Sequence, residues 1–139
     1  MRLETISENS KQILDTMRGL IEKGETDRLK ENTDGWQYGG NEFNKAVESL
    51  RQGMQQELKS QGFHVVGCTV RHFLRGANIL NYLYPAKRIL MIPMNGPSTL
   101  STGGQLPPDT YCYIEGRPTL AGENIDVVFV GFEVTNESK

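Results

Sequence analysis

IDVVFVGFEV (125–134) decides the fold. Val, Ile and Phe dominate it, as a pleated strand requires. Its middle is apolar at consecutive positions, not only at alternate ones. Such a strand is covered on both faces and belongs in the centre of a sheet. FHVVGCTVRHF (63–73) has the same β-branched and aromatic character, and TYCYIE (110–115) reads as a further strand. NILNYLY (78–84) and RILMIPM (88–94) form a candidate hairpin across Pro85-Ala86-Lys87. The first of these two fits a short helix equally, since seven residues do not separate the periods.

Upstream the pattern changes to helical. Thr5 and Glu8 have the spacing of a capping box. Behind them Ile6, Ile13, Met17 and Leu20 line one stripe with Leu3, Leu14 and Ile21, broken by Ser10. Gly24 is the expected stop. The near-heptad spacing suits either core packing or a helix-mediated dimer. Residues 25–40 read as a helical turn and then a loop. A second helix is expected from a cap at Asn41 to about Gln61, with Phe43, Val47, Leu50, Met54 and Leu58 inward and Gly62 as its end. Gly53 inside it suggests close packing.

The predicted fold class is therefore α+β: two N-terminal helices packed on a mostly antiparallel sheet of four to five strands. A chain of 139 residues is one domain's worth. Its expected parts are helical 1–61, sheet 62–135 and a frayed tail 136–139.

Charge gives the clearest pointer to a partner. The chain holds 17 acidic residues, yet Leu58 to Pro108 contains none. That interval carries Lys59, Arg71, Arg75, Lys87 and Arg88, with His64 and His72. A carboxylate-free stretch does not repel an anion. Inside it, NGPSTLSTGGQLPP (95–108) reads as the longest structureless stretch, uncharged and rich in Gly, Ser and Thr. Such loops either serve a ligand or wrap a neighbour. No Lys lies within it, so it is not a P-loop.

The leading expectation is a small, soluble, non-enzymatic binding protein whose β half takes an anionic, nucleotide-like or phosphorylated small molecule. Arg71, Arg75, Lys87 and Arg88 would supply charge. Ser98, Thr99, Ser101 and Thr102 would supply hydrogen bonds, and Trp36 stacking. The alternative is a structural or protein-interaction module that oligomerises through its N-terminal helix and the 95–108 loop and meets an acidic protein face. A third reading is a small hydrolase using His72 with Ser98 or Ser101.

Several classes are set aside. A pI near 5.7 argues against nucleic-acid coating. No signal-peptide core occurs near Met1 and no apolar run suits a membrane span. His64, Cys68 and His72 are spaced by four, but in a strand such neighbours stand about 13 Å apart, too far for one zinc. No metal or cofactor is implied. Cys68 and Cys112 read as buried, reduced thiols, which fits the cytoplasm.

Overall fold

A computed structural model of the chain describes residues 3–78, 88–101, 104–114 and 119–134. In chain order the elements are β1 (Glu4–Thr5), α1 (Glu8–Glu22), β2 (Asp27–Asn32), β3 (Gly35–Gly39), α2 (Asn41–Leu58), β4 (Phe63–Phe73), β5 (Ala77–Asn78), β6 (Arg88–Asn95), β7 (Ser98–Leu100), β8 (Gly104–Leu106), β9 (Thr110–Tyr113), β10 (Thr119–Ala121) and β11 (Ile125–Val134). They form a seven-stranded sheet, ordered β1-β9-β6-β11-β4-β3-β2, and a four-stranded sheet, ordered β5-β10-β7-β8. The paired strands are antiparallel.

This corrects the expected two-helix layer on a four- to five-stranded sheet. The molecule is mainly β, with two α-helices among the described residues and two sheets rather than one. Part of the difference lies in the expected helical region. Residues 25–40 are a β-hairpin, β2–β3, not a helical turn and loop. All six β2 residues are exposed, so no alternation marks it as a strand. The hairpin is made by its turn: Asn32 Oδ1 accepts from the backbone N–H of Asp34 at 2.8 Å and of Gly35 at 3.2 Å. Gly35 has φ 149°, and a Cβ there would overlap the His72 carbonyl, so glycine is required. The stretch 95–108 is likewise ordered in part, as the β7–β8 hairpin of the second sheet. The hairpin expected across Pro85-Ala86-Lys87 lies outside the described residues.

β11 is the middle strand of the large sheet, paired with β4 on one side and β6 on the other. Its alternate residues divide between two cores. Val128, Val130 and Phe132 face the helices, with Leu14, Met17, Phe43, Leu50 and Met54. Ile125, Val127 and Phe129 face the second sheet, with Phe73, Met91, Leu100, Cys112 and Leu120. Two covered faces explain why this strand is apolar at consecutive positions.

The helices are fixed by their ends and by their crossing. Ser7, not Thr5, caps α1: its Oγ accepts from Ser10 N at 3.2 Å, while Thr5 pairs with Thr110 in the sheet. α1 stops at Gly24, where Gly24 N donates to Ile21 O and Glu25 N to Leu20 O, a Schellman arrangement. Gly40 occupies the N-cap of α2, and Asn41 is its first helical residue. A Cβ at Gly53 would stand 3.0 Å from Ser10 Oγ, so the helices cross closely there. Ile6 and Met17 of the apolar stripe are buried within the chain's own core. Arg18 ties α1 to the sheet, donating to Met94 O at 2.9 Å and pairing with Asp109 at 2.6 Å. No helix among the described residues is long and apolar enough to cross a membrane.

Candidate functional site

Four consecutive strands of the large sheet each bring one polar side chain to the same end. Tyr38 comes from β3, His72 from β4, Asp126 from β11 and Asn95 from β6. Register places Asp126 opposite His72 on one side and opposite Asn95 on the other. The second pairing depends on an irregularity in β6: Val127 pairs with Pro93 and Asp126 with Asn95, leaving Met94 as the extra residue. Pro93 donates nothing to the ladder, as suits a bulge.

Asp126 is buried, at 5% exposure, and its carboxylate collects three contacts. Tyr38 OH donates to Oδ1 at 2.6 Å. His72 Nδ1 lies 2.8 Å from the same oxygen. Asn95 Nδ2 donates to Oδ2 at 2.9 Å. Burial, and then the hydrogen bond to Asp126, hold the Tyr38 phenol far above its usual range, so it remains a donor. The other ring nitrogen, His72 Nε2, sits on the exposed side, 3.3 Å from Asn124 Oδ1. Asn124 takes a left-handed conformation, φ 52°, which Asn adopts more readily than most residues.

An aromatic stack fixes the imidazole plane. Trp36 lies parallel to His72, with ring centroids 4.3 Å apart and 14° between planes. The guanidinium of Arg28 covers Trp36 at 3.7 Å from its centroid. Chemically, the arrangement is a histidine oriented by a carboxylate, with one nitrogen facing outward. No serine, threonine or cysteine joins it through a described hydrogen bond.

The residues expected to form an anion site are dispersed. Arg71 is buried at 5% exposure, opposite Val127 on β11. Arg75 is exposed, past the end of β4. Arg88 is exposed at the start of β6 and pairs with Phe132. Since Phe73 pairs with Ile125, Arg75 and Arg88 stand at opposite ends of β11, more than about 20 Å apart at 3.3 Å per residue. Ser98 is buried at 1% exposure. Thr99 is exposed. Ser101 Oγ accepts from Thr119 N at 3.0 Å, tying β7 to β10. Trp36 has both faces covered, by His72 and Arg28. Lys87 and Thr102 lie outside the described residues. The carboxylate-free interval is not carboxylate-free in space, because β11 sets Asp126 between β4 and β6.

His64, Cys68 and His72 do not converge either. A bulge in β4 pairs Gly67 with Gly131 but Val65 with Phe132. Phe63 and Val65 join Cys68 and Val70 in the helix-side core, so His64 turns to the opposite face from His72. No group of three metal-ligating side chains occurs among the described residues. Cys68 and Cys112 are free thiols. Cys112 is fully buried between the sheets and Cys68 is half-buried on the helix side. Three strand spacings part them, about 14 Å, so no disulfide can join them.

Sequence reasoning reached His72 and Trp36 but not Asp126, Tyr38, Asn95 or Asn124 as their partners. One signal was present: Asp126 is the only charged residue among the apolar positions of IDVVFVGF (125–132), and a carboxylate in a strand covered on both faces needs partners.

No protein-family model matches the chain, and no curated protein resembles it in sequence. Among solved structures, the crystal structure of a Pseudomonas putida prolyl-4-hydroxylase aligns with 95% of this chain and 91% of that chain, at a TM-score of 0.47 and 12% identity. A likeness that weak says nothing of what this chain does.

Proposed function

We propose that His72 is the working residue of this chain and that it accepts a proton from a small polar molecule or from water. The observation that carries this reading is the 2.8 Å contact between His72 Nδ1 and Asp126 Oδ1. A carboxylate can only accept, so Nδ1 carries the hydrogen. In the neutral ring the lone pair is then left on Nε2, the exposed side. Asp126 orients the ring and stabilises the imidazolium that forms, while Tyr38 and Asn95 hold the carboxylate in place. Asn124 is the side chain beside Nε2. Turning its amide by half a rotation presents N–H to that nitrogen, and an incoming molecule would displace it.

With no serine, threonine or cysteine in the network among the described residues, the chemistry that fits is direct proton abstraction or activation of water. An anionic, nucleotide-like ligand is less favoured, because the cations expected to bind it are dispersed and Asp126 lies among them.

The test is hydrolysis of small activated esters and phosphoesters, run beside an NMR titration with small polar molecules. Activity at this site should fall about 10²–10⁴-fold in His72→Ala, the span of general-base catalysis, and the ligand-induced shifts centred on the site should be lost. Activity should fall also in Asp126→Asn, with the fold intact by circular dichroism. If no compound is turned over and none shifts the His72 ring resonances, the reading fails.

A further inference from the structure

A second cleft opens at the other end of the large sheet, six residues along β11 from Asp126. Phe63, Arg88, Ile89, Tyr113, Ile114 and Phe132 enclose about 420 Å³. That size lies within the ordinary span of small-molecule sites, roughly 300–1,000 Å³. Its walls are rings at mixed angles. Phe63 and Phe132 are 4.7 Å apart at 32°, Phe63 and Tyr113 are 6.0 Å apart at 81°, and Tyr113 and Phe132 are 5.6 Å apart at 68°. The three rings pack on one another, and Phe63 and Tyr113, only partly buried, leave part of their surface for a further ring. Tyr113 OH donates to Gln61 Oε1 at 3.2 Å, which holds that wall in place. Among the described lining residues Arg88 is the one ionised side chain, and it is exposed at the rim.

We propose that this cleft binds a small planar aromatic acid, its ring laid against Phe63 and Tyr113 and its carboxylate toward Arg88. A guanidinium has five N–H donors and can serve an anion while keeping another partner. The described lining residues contribute no carboxylate that would repel one. This site is independent of His72: either can fail while the other stands.

The test is an amide NMR titration with benzoate and with benzyl alcohol, which keeps the ring and lacks the charge. Benzoate should saturate shifts at Ile89, Ile114 and Phe132. Tyr113→Leu, which keeps an apolar wall and removes one ring, should weaken it by about tenfold or more, equivalent to about 1.4 kcal/mol. Arg88→Gln should weaken benzoate and leave benzyl alcohol unchanged. Should that variant misfold, Phe63→Leu likewise keeps an apolar wall, removes one ring and should weaken both probes. Shifts scattered over the surface, unchanged benzoate binding in the folded cleft variant, or benzyl alcohol binding as tightly as benzoate would overturn the proposal.

Discussion

Asp126 replaced by Ala would leave Tyr38 OH, Asn95 Nδ2 and His72 Nδ1 without the acceptor they share. Each orphaned polar group costs about 1–3 kcal/mol where water cannot reach it. His72 and Asn95 are partly exposed and recover some of that from solvent. Asp126→Ala should therefore destabilise the chain by about 3 kcal/mol, read by urea unfolding, and Tyr38→Phe by less. An Asp126→Ala variant as stable as the parent would show that the network carries no structural strain and few firm bonds. At this scale the sequence showed the parts but not the pairing. His72 and Trp36 were visible as chemistry-bearing side chains. Their partners were not, because Asp126 lies 54 residues from His72 and Tyr38 lies 34. Only strand pairing brings them together.

Elements were legible where hydrophobic burial shapes them. β4 runs over Phe63–Phe73, the span its β-branched residues mark, and β11 is central as its doubly apolar pattern requires. Both helices show their inward stripes; Gly24 ends α1, and Gly62 ends the 3₁₀ turn Lys59–Gln61 that follows α2, both in left-handed backbone. Polar strands were not legible. β2, DRLKEN, is an edge strand exposed along its length, so no core imposes alternation on it. Its charges and the irregular register between Leu29 and Asn32 also protect the sheet from pairing with another chain. β7 and β8 are three residues each, too short for periodicity, and the Gly-, Ser- and Thr-rich stretch that holds them, 95–108, resembles a loop in composition. The capping error at Thr5 has the same origin: two residues of sheet pairing with β9 override a local helix signal.

For the whole molecule, two sheets and a helical layer make two separate cores; Cys112 is enclosed in one and Cys68 packs half-buried against the other. Burial pushes Cys68 up to about 12 and Cys112 up to about 11, from an ordinary 9.0. Both are neutral at pH 7, folded or unfolded, so they make no difference there. As the pH rises past 9, the unfolded chain loses these protons first and the folded state loses stability until about 11 to 12. Urea midpoints should therefore fall over that interval in the parent and fall less in Cys68→Ala, Cys112→Ala. An identical decline in the double variant would remove the thiols from the explanation. The long-range register that buries them also assembles the His72 site from four strands, so the tautomer of His72 reports on the whole sheet. Long-range ¹H–¹⁵N correlation of the His72 ring, at alkaline pH where an imidazole is neutral, tests the central claim most directly. The native protein should show hydrogen on Nδ1 and a bare Nε2, a preference lost in urea and in Asp126→Ala. Hydrogen on Nε2 in the native protein would contradict the account, for His72 would then have no outward lone pair with which to accept a proton.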